Sequence, residues 1–205
     1  EMEQQRSSFI EGSALNKVDK KYAGNLFDQI EQFAGYGFNR SHSVGYALIA
    51  YQTAWLKAHF PASFMASVLS CEIDSTDRVQ MFVDECREMK LKVTKPDINK
   101  SEYLFLDISD DEILYGLGAI KGVGESLIGG IQTEREISHF TNLEDFCLRM
   151  NKFRINKRVL EALIGSGAMD GLGVREDLFR SINATLKKVE HLMDRRQCGI
   201  SDLFE

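Results

Sequence analysis

The sequence predicts a mainly α-helical chain: a multi-helix first part, one small β-hairpin near residues 103–117, and then a tandem of glycine-hinged helix pairs. Three observations carry this prediction. Apolar residues recur at helical spacing through residues 1–90. Tyr103, Phe105 and Asp107 alternate with Leu104, Leu106 and Ile108 around a polar Ser109-Asp110-Asp111-Glu112 turn, the one clear β pattern. From Gly118 onward the helical stretches are short and separated by glycines.

Residues 1–16 place Phe9, Ile10, Ala14 and Leu15 in a polar helical setting, and residues 21–34 place Tyr22, Leu26, Phe27, Ile30 and Phe33 at helical spacing. Gly35 and Gly37 break that helix, since glycine costs about 1 kcal/mol relative to alanine in a helix interior. The next helix, residues 46–59, carries Tyr46, Ile49 and Ala50 on one face and Leu48, Trp55 and Leu56 on another. Apolarity all round predicts a helix buried on most sides. Pro61 ends it and starts another apolar helix through Ser70. Asp74 or Ser75 can cap a helix whose stripe is Val79, Phe82, Val83, Cys86 and Met89. A short strand is possible at residues 91–93, and Pro96-Asp97-Ile98-Asn99 signals a turn before the hairpin, whose second arm runs over residues 113–117.

The totals exclude several classes. With 205 residues, 43% hydrophobic and 27% charged, the chain has the composition of a soluble globular protein. A net charge of -6 argues against nucleic-acid binding through bulk positive charge, so such contact must be local. Four scattered cysteines form no CxxC pair, which suggests neither a zinc site nor a disulfide framework and fits a reducing, cytoplasmic setting. No apolar run is long enough to span a membrane, so no membrane partner is expected. The chain starts at Glu1 directly in helical sequence and reads as a piece of something longer.

Residues 33–47, FAGYGFNRSHSVGYA, bring Asn39, Arg40, Ser41 and His42 to a helix start, with Ser41 or Ser43 as a cap. A cation, hydroxyls and an imidazole beside a helix N-terminus suit a phosphate. The plain alternative is a polar loop joining two core helices.

Residues 117–131, LGAIKGVGESLIGGI, have the pattern of a helix-hairpin-helix. Gly122 and Gly124 permit a tight turn and close approach, Val123 packs inward, and Lys121 adds a local charge. The N–H groups at the second helix's start face a backbone phosphate and read no base sequence. A second pair follows, with Asn156, Lys157 and Arg158 before Val159, Leu160, Leu163 and Ile164, and Gly165-Ser166-Gly167-Ala168 turning the chain. Gly171-Leu172-Gly173 leads into the helix from Arg175. Lys152, Arg154, Lys157 and Arg158 form the densest basic cluster, which read alone is a solvated face. The end of the chain, RRQCGISDLFE, leaves Leu203-Phe204 as a peptide that docks in a partner's groove or as the start of another domain.

A polymerase or nuclease holds two metal ions about 4 Å apart on paired carboxylates. No convergent pair is evident, and the 109–112 acids read as a hairpin turn. Nor is there a Walker A loop, an HExxH or a Ser-His-Asp arrangement.

In order, FAGYGFNRSHSVGYALIAYQTAWLKAHFPASFMA, the KPDIN turn, YGLGAIKGVGE and RVLEALIGSGAMDGLG closely resemble the C-family replicative DNA polymerases of bacteria, the DNA polymerase III alpha subunits. The resemblance runs over nearly the whole chain. It implies that residues 1–112 are the later part of the fingers and residues 113–185 a tandem helix-hairpin-helix module gripping duplex DNA. Residues 186–205 would be a linker with a clamp-binding-like peptide. It further implies nucleotide contacts at Arg40, Ser41, His42 and Ser43, in a motif that often has Lys where Arg40 stands; Arg keeps the charge. DNA contacts fall on Lys121, Gly122, Val123, Gly124, Lys157, Arg158, Gly165 and Gly167.

The sliding-clamp motif of this family usually reads Gln, a small residue, Asp or Ser, Leu or Met, Phe. Asp202, Leu203 and Phe204 match it, whereas Ile200 stands where Gln is expected, which implies weak clamp binding. The metal-binding aspartates belong to the palm, so Mg is expected in the full-length protein, and this segment alone is expected to be inactive. Partners implied are duplex DNA, an incoming dNTP shared with the palm, the clamp and other replisome subunits. A stand-alone helix-hairpin-helix DNA-binding or repair module accounts for residues 113–185 but leaves FNRSHS unexplained. A protein-interaction fragment acting through the clamp peptide would make the glycine hairpins mere turns.

Overall fold

The structure, a computed structural model, describes residues 2–35, 40–153 and 155–197. Its elements are mainly helical, in the order α1 (Met2–Leu15), α2 (Lys20–Gly35), α3 (Arg40–His59), α4 (Pro61–Cys71), α5 (Thr76–Glu88), β1 (Lys92–Thr94), β2 (Leu106–Ser109) and β3 (Glu112–Leu114). After these come α6 (Glu125–Ile137), α7 (Leu143–Arg149), α8 (Lys157–Ser166) and α9 (Arg175–Gln197). The chain divides into two compact units, residues 1–55 and 56–205.

In the first unit α1 and α2 form a pair. Asp19 caps α2 by accepting from the Tyr22 N–H at 3.0 Å. Phe27 and Ala23 are buried, Phe27 lying 5.5 Å from the Phe9 ring, and Arg6 binds Asp28 at 2.8 Å. Of the α2 stripe expected from periodicity only Phe27 is buried; Tyr22, Leu26, Ile30 and Phe33 are exposed. Helix α3 departs further from expectation. Val44, Tyr46, Leu48, Ile49, Tyr51, Trp55 and Leu56 are all exposed, so the helix is not buried on most sides. Its apolarity is real, but within residues 1–55 it is α1 and α2 that pack on each other.

In the second unit α4 and α5 cover one face of a three-stranded sheet of order β1-β3-β2. Met65, Leu69, Val79, Val83, Cys86, Phe105 and Ile113 form that core. The expected hairpin is present as β2 antiparallel to β3, with a bulge between Asp107 and Ser109. Beyond a second arm that ends at Leu114 rather than at residue 117, two features differ from the sequence reading. First, β1 adds to β3 in parallel, pairing Val93 with Ile113. Second, residues 103–105 are not strand. The Glu102 and Tyr103 carbonyls accept from the Leu117 and Gly118 N–H groups at 2.8 and 2.9 Å, which draws this backbone away from the ladder.

A second core gathers Ile98, Leu117, Ile128, Ile131, Phe146, Met150, Leu160, Leu163, Ile164 and Ile182. The KPDIN turn therefore enters this core, while the hairpin that follows it returns to the first. Asn99 fixes the crossing, donating to the Phe140 carbonyl at 2.9 Å and accepting from the Phe140 N–H at 2.8 Å. The two cores thus interleave across residues 98–117 rather than meeting at one cut.

Candidate nucleic-acid interface

The first hairpin is short on its entering side. Its first member is a single 3-10 turn, Leu117–Ala119, rather than a helix. Ile120 then leads into Lys121-Gly122-Val123-Gly124 and α6. Val123 is 7% exposed and its N–H donates to the Ile120 carbonyl at 3.1 Å, so the turn is anchored from inside. Gly122 has φ +92, a conformation a β-carbon disfavours. Lys121, Gly122 and Gly124 are exposed, and nothing lies within 4 Å of a Cβ built on either glycine. Gly124 is the N-cap of α6 and supplies no side-chain acceptor. The first N–H groups of α6 thus emerge beside a bare backbone, the arrangement that suits an anion. Glu125 in the first turn opposes that charge, so any phosphate contact rests on the glycine backbone and Lys121.

The second hairpin is α8, a turn over residues 167–174, and α9. Asn156 caps α8, its Oδ1 accepting from the Val159 N–H at 3.0 Å. Lys157 lies 3.6 Å from Glu161, an exposed i,i+4 pair of small worth, while Arg158 is exposed and carries no ion pair among the described residues. Gly165 lies exposed inside α8. Gly167 is buried, at φ +87, and ends α8 as its left-handed cap. The Arg175 guanidinium lies against the space that a Cβ here would take.

The exposed glycine turn is instead Gly171-Leu172-Gly173. It borders an open depression of about 570 Å³, lined by residues 170–175 at the start of α9. The sequence carries a signal for it: Gly122-Val123-Gly124 stands directly before α6, and Gly171-Leu172-Gly173 stands one residue, Val174, before α9. Glycine content alone does not tell a helix cap such as Gly167 from a surface turn such as Gly171-Leu172-Gly173.

The basic cluster is thinner than its sequence suggests. Lys152 binds Glu134 at 2.8 Å and Lys157 faces Glu161; Arg154 lies outside the described residues. Lys121 and Arg158, together with Lys187 further along α9, are exposed cations of the two hairpins without ion pairs among the described residues.

Asp170 organises the second turn. It accepts from Arg175 Nε and Nη2 at 2.6 and 2.8 Å and also from Lys95. The Arg175 guanidinium, and then Lys95, hold its carboxyl well below the usual carboxylate range. Because the folded-state value lies under the unfolded value of about 3.9, the stabilisation is complete above that value and is lost as pH falls. Asp170→Asn is therefore expected to lower the thermal midpoint by a few degrees at pH 7. Its midpoint should also fall less steeply than that of the parent chain below about pH 4. Thermal scans across pH 2–7 check this.

The opening motif is only partly in view. Helix α3 begins at Arg40, so Ser41, His42 and Ser43 lie in its first turns, and neither serine stands as the expected cap before the helix. The His42 ring stands 4.2 Å from Tyr46. Asn39 and the Arg40 side chain lie outside the described residues, as do Asp202, Leu203 and Phe204. Among the described residues no group of three His, Cys, Asp or Glu side chains is disposed to hold a metal ion. Nor is any helix among them long and apolar enough to cross a membrane.

Residues 90–179 match the family model described as helix-hairpin-helix motif. The range takes in β1, the KPDIN turn and both glycine turns. Along its whole length the chain is 47% identical to DNA polymerase III subunit alpha of Pseudomonas fluorescens, covering 19% of that protein. It is likewise 47% identical over its whole length to the same subunit of Escherichia coli K12, covering 18%. Against the Pseudomonas aeruginosa subunit, 91% of the chain aligns at 52% identity and covers 16%. The chain thus spans less than a fifth of the length of the curated relatives it matches.

Proposed function

Since the chain corresponds along its whole length to one segment of DNA polymerase III alpha subunits, we propose that it is the fingers and duplex-gripping segment of a replicative DNA polymerase. The observation that carries the reading is the pair of exposed glycine turns, Gly122-Val123-Gly124 directly before α6 and Gly171-Leu172-Gly173 one residue before α9. Bare backbone N–H groups at a helix start bind phosphate without reading bases. That is what a polymerase needs behind its active site, where every sequence passes.

In this reading Lys121 and Arg158 supply the local charge that a chain of net charge -6 lacks overall. The α3 start, with Arg40, Ser41, His42 and Ser43, contacts the triphosphate of an incoming nucleotide and forms half of a site completed by the palm. Metal-dependent chemistry belongs to that palm, where Mg is bound, and the chain alone does not polymerise. Asp202, Leu203 and Phe204 give a weak contact with the sliding clamp. A cytoplasmic location and further replisome partners follow from the same reading.

Lys121→Ala and Arg158→Ala are each expected to weaken duplex binding about three- to tenfold, equally for duplexes of different sequence. Fluorescence anisotropy with two unrelated labelled duplexes measures this. Losses confined to one duplex, or unchanged affinity in both variants, would refute the backbone grip.

A further inference from the structure

We infer that Lys95, Asp170 and Arg175 form a positioning device that fixes the Gly171-Leu172-Gly173 turn and ties it to the segment following β1. The inference rests on the duplex-gripping role proposed above and adds residues that act on the grip without touching DNA.

The turn has little of its own to hold it. It contains two glycines, Gly173 at φ +156, and its backbone bonds are the Asp170 and Leu172 N–H groups donating to Gly167 and Met169 carbonyls at 3.2 and 2.9 Å. Side chains supply the missing restraint. Arg175, the first residue of α9, reaches back over the turn and binds Asp170 through two parallel N–H···O bonds at 2.6 and 2.8 Å. Its guanidinium occupies the space above Gly167 that a side chain would otherwise take, so cap and brace exclude any bulkier arrangement.

Lys95 then donates to the same carboxylate from a segment 75 residues earlier, sharing Oδ2 with Arg175 Nη2. Three residues on, the Ile98 N–H donates to the Ala168 carbonyl at 2.8 Å, giving a second tie between the two segments. The carboxylate held by these two cations is only 21% exposed, whereas Lys95 is 60% exposed at its side chain. Lys95 and Arg175 share the one carboxylate of Asp170, so the trio keeps a net positive charge, and the salt dependence of binding separates a brace from a direct phosphate contact. Lys95 can be replaced without opening a cavity. Its loss unties the brace from the segment following β1 and leaves the cores intact.

Lys95→Met tests this in the full chain. The thermal midpoint and helical circular dichroism should stay close to the parent values. Duplex affinity should fall about five- to tenfold while the dependence of log affinity on log salt keeps its slope, because no phosphate contact is removed. Lys95→Arg should restore affinity, and amide exchange at residues 171–175 should quicken in Lys95→Met alone. Unchanged affinity and exchange would overturn the inference while leaving the duplex grip standing. A slope shallower by about one would overturn it too, by making Lys95 a direct phosphate contact. If the parent chain fails to bind duplex at all, the reading beneath fails and the inference with it.

Discussion

Gly116→Ala is expected to destabilise the second unit by about 3 kcal/mol, near the top of the range for overpacking. A Cβ at this position would lie 2.6 Å from the Tyr103 carbonyl oxygen and 2.7 Å from the Leu104 carbonyl carbon. Both obstacles are backbone, and neither can rotate away. The same backbone accepts the Leu117 and Gly118 N–H groups, so relieving the clash breaks the two bonds that join the hairpin to the first glycine turn. Gly129→Ala is the control. It lies exposed in α6 with nothing within 4 Å, and alanine there should be neutral to stabilising. Urea unfolding of the two variants beside the parent chain compares them; equal midpoints would contradict the close approach.

Arg149→Met should cost about 3 kcal/mol, the scale for removing one partner of a largely buried ion pair. Arg149 closes the end of α6. Its Nη2 donates to the Ser138 carbonyl at 2.9 Å and also to the Glu134 carbonyl, while Nε approaches the Glu134 carboxylate at 3.4 Å. Asp145 stands 3.5 Å from Nη1, and the guanidinium lies 4.3 Å from the centre of the Phe140 ring. Methionine keeps the volume and loses every one of these polar contacts. It leaves the Ser138 carbonyl without its Arg149 donor and the Glu134 carbonyl with only the long Ser138 N–H bond at 3.4 Å. The Glu134 carboxyl, which Lys152 and then Arg149 hold below the usual range, is left with Lys152 alone. Arg149→Lys should recover only part of the loss, since an ammonium cannot span both carbonyls and stack on the ring. Thermal and urea midpoints measure both variants, and a methionine variant as stable as the parent would refute the role.

Local pattern made much of the fold legible. The α5 stripe was correctly periodic: Val79, Val83 and Cys86 are buried where the spacing put them. The hairpin and the glycine-punctuated second half were also evident. The failures were non-local. Residues 103–105 alternate like a strand, yet their neighbourhood is claimed by N–H groups of residues 117–118. Helix α3 is apolar on every side, but periodicity reports what a helix can bury and not what lies against it. Helix α7 is seven residues long and announces itself only through the Asn142 cap.

In the candidate interface, the Lys121–Gly124 turn was readable because its apolar frame is contiguous in sequence. The roles of Gly167 and Gly171–Gly173 depend on Arg175 folding back over the chain and on Lys95 arriving from a distant segment. Pairings of that kind leave no local trace. The thinning of the basic cluster has the same origin, since Glu134, which engages Lys152, lies on α6.

The grip on duplex backbone is tested most directly by the salt dependence of binding. Affinity of the full chain for a short mixed-sequence duplex, measured between about 50 and 200 mM salt, should fall with a log–log slope of about -2, as expected for about two phosphates neutralised by Lys121 and Arg158. Lys121→Ala should make the slope shallower by about one. A flat dependence, or no binding at the lowest salt, would contradict the account.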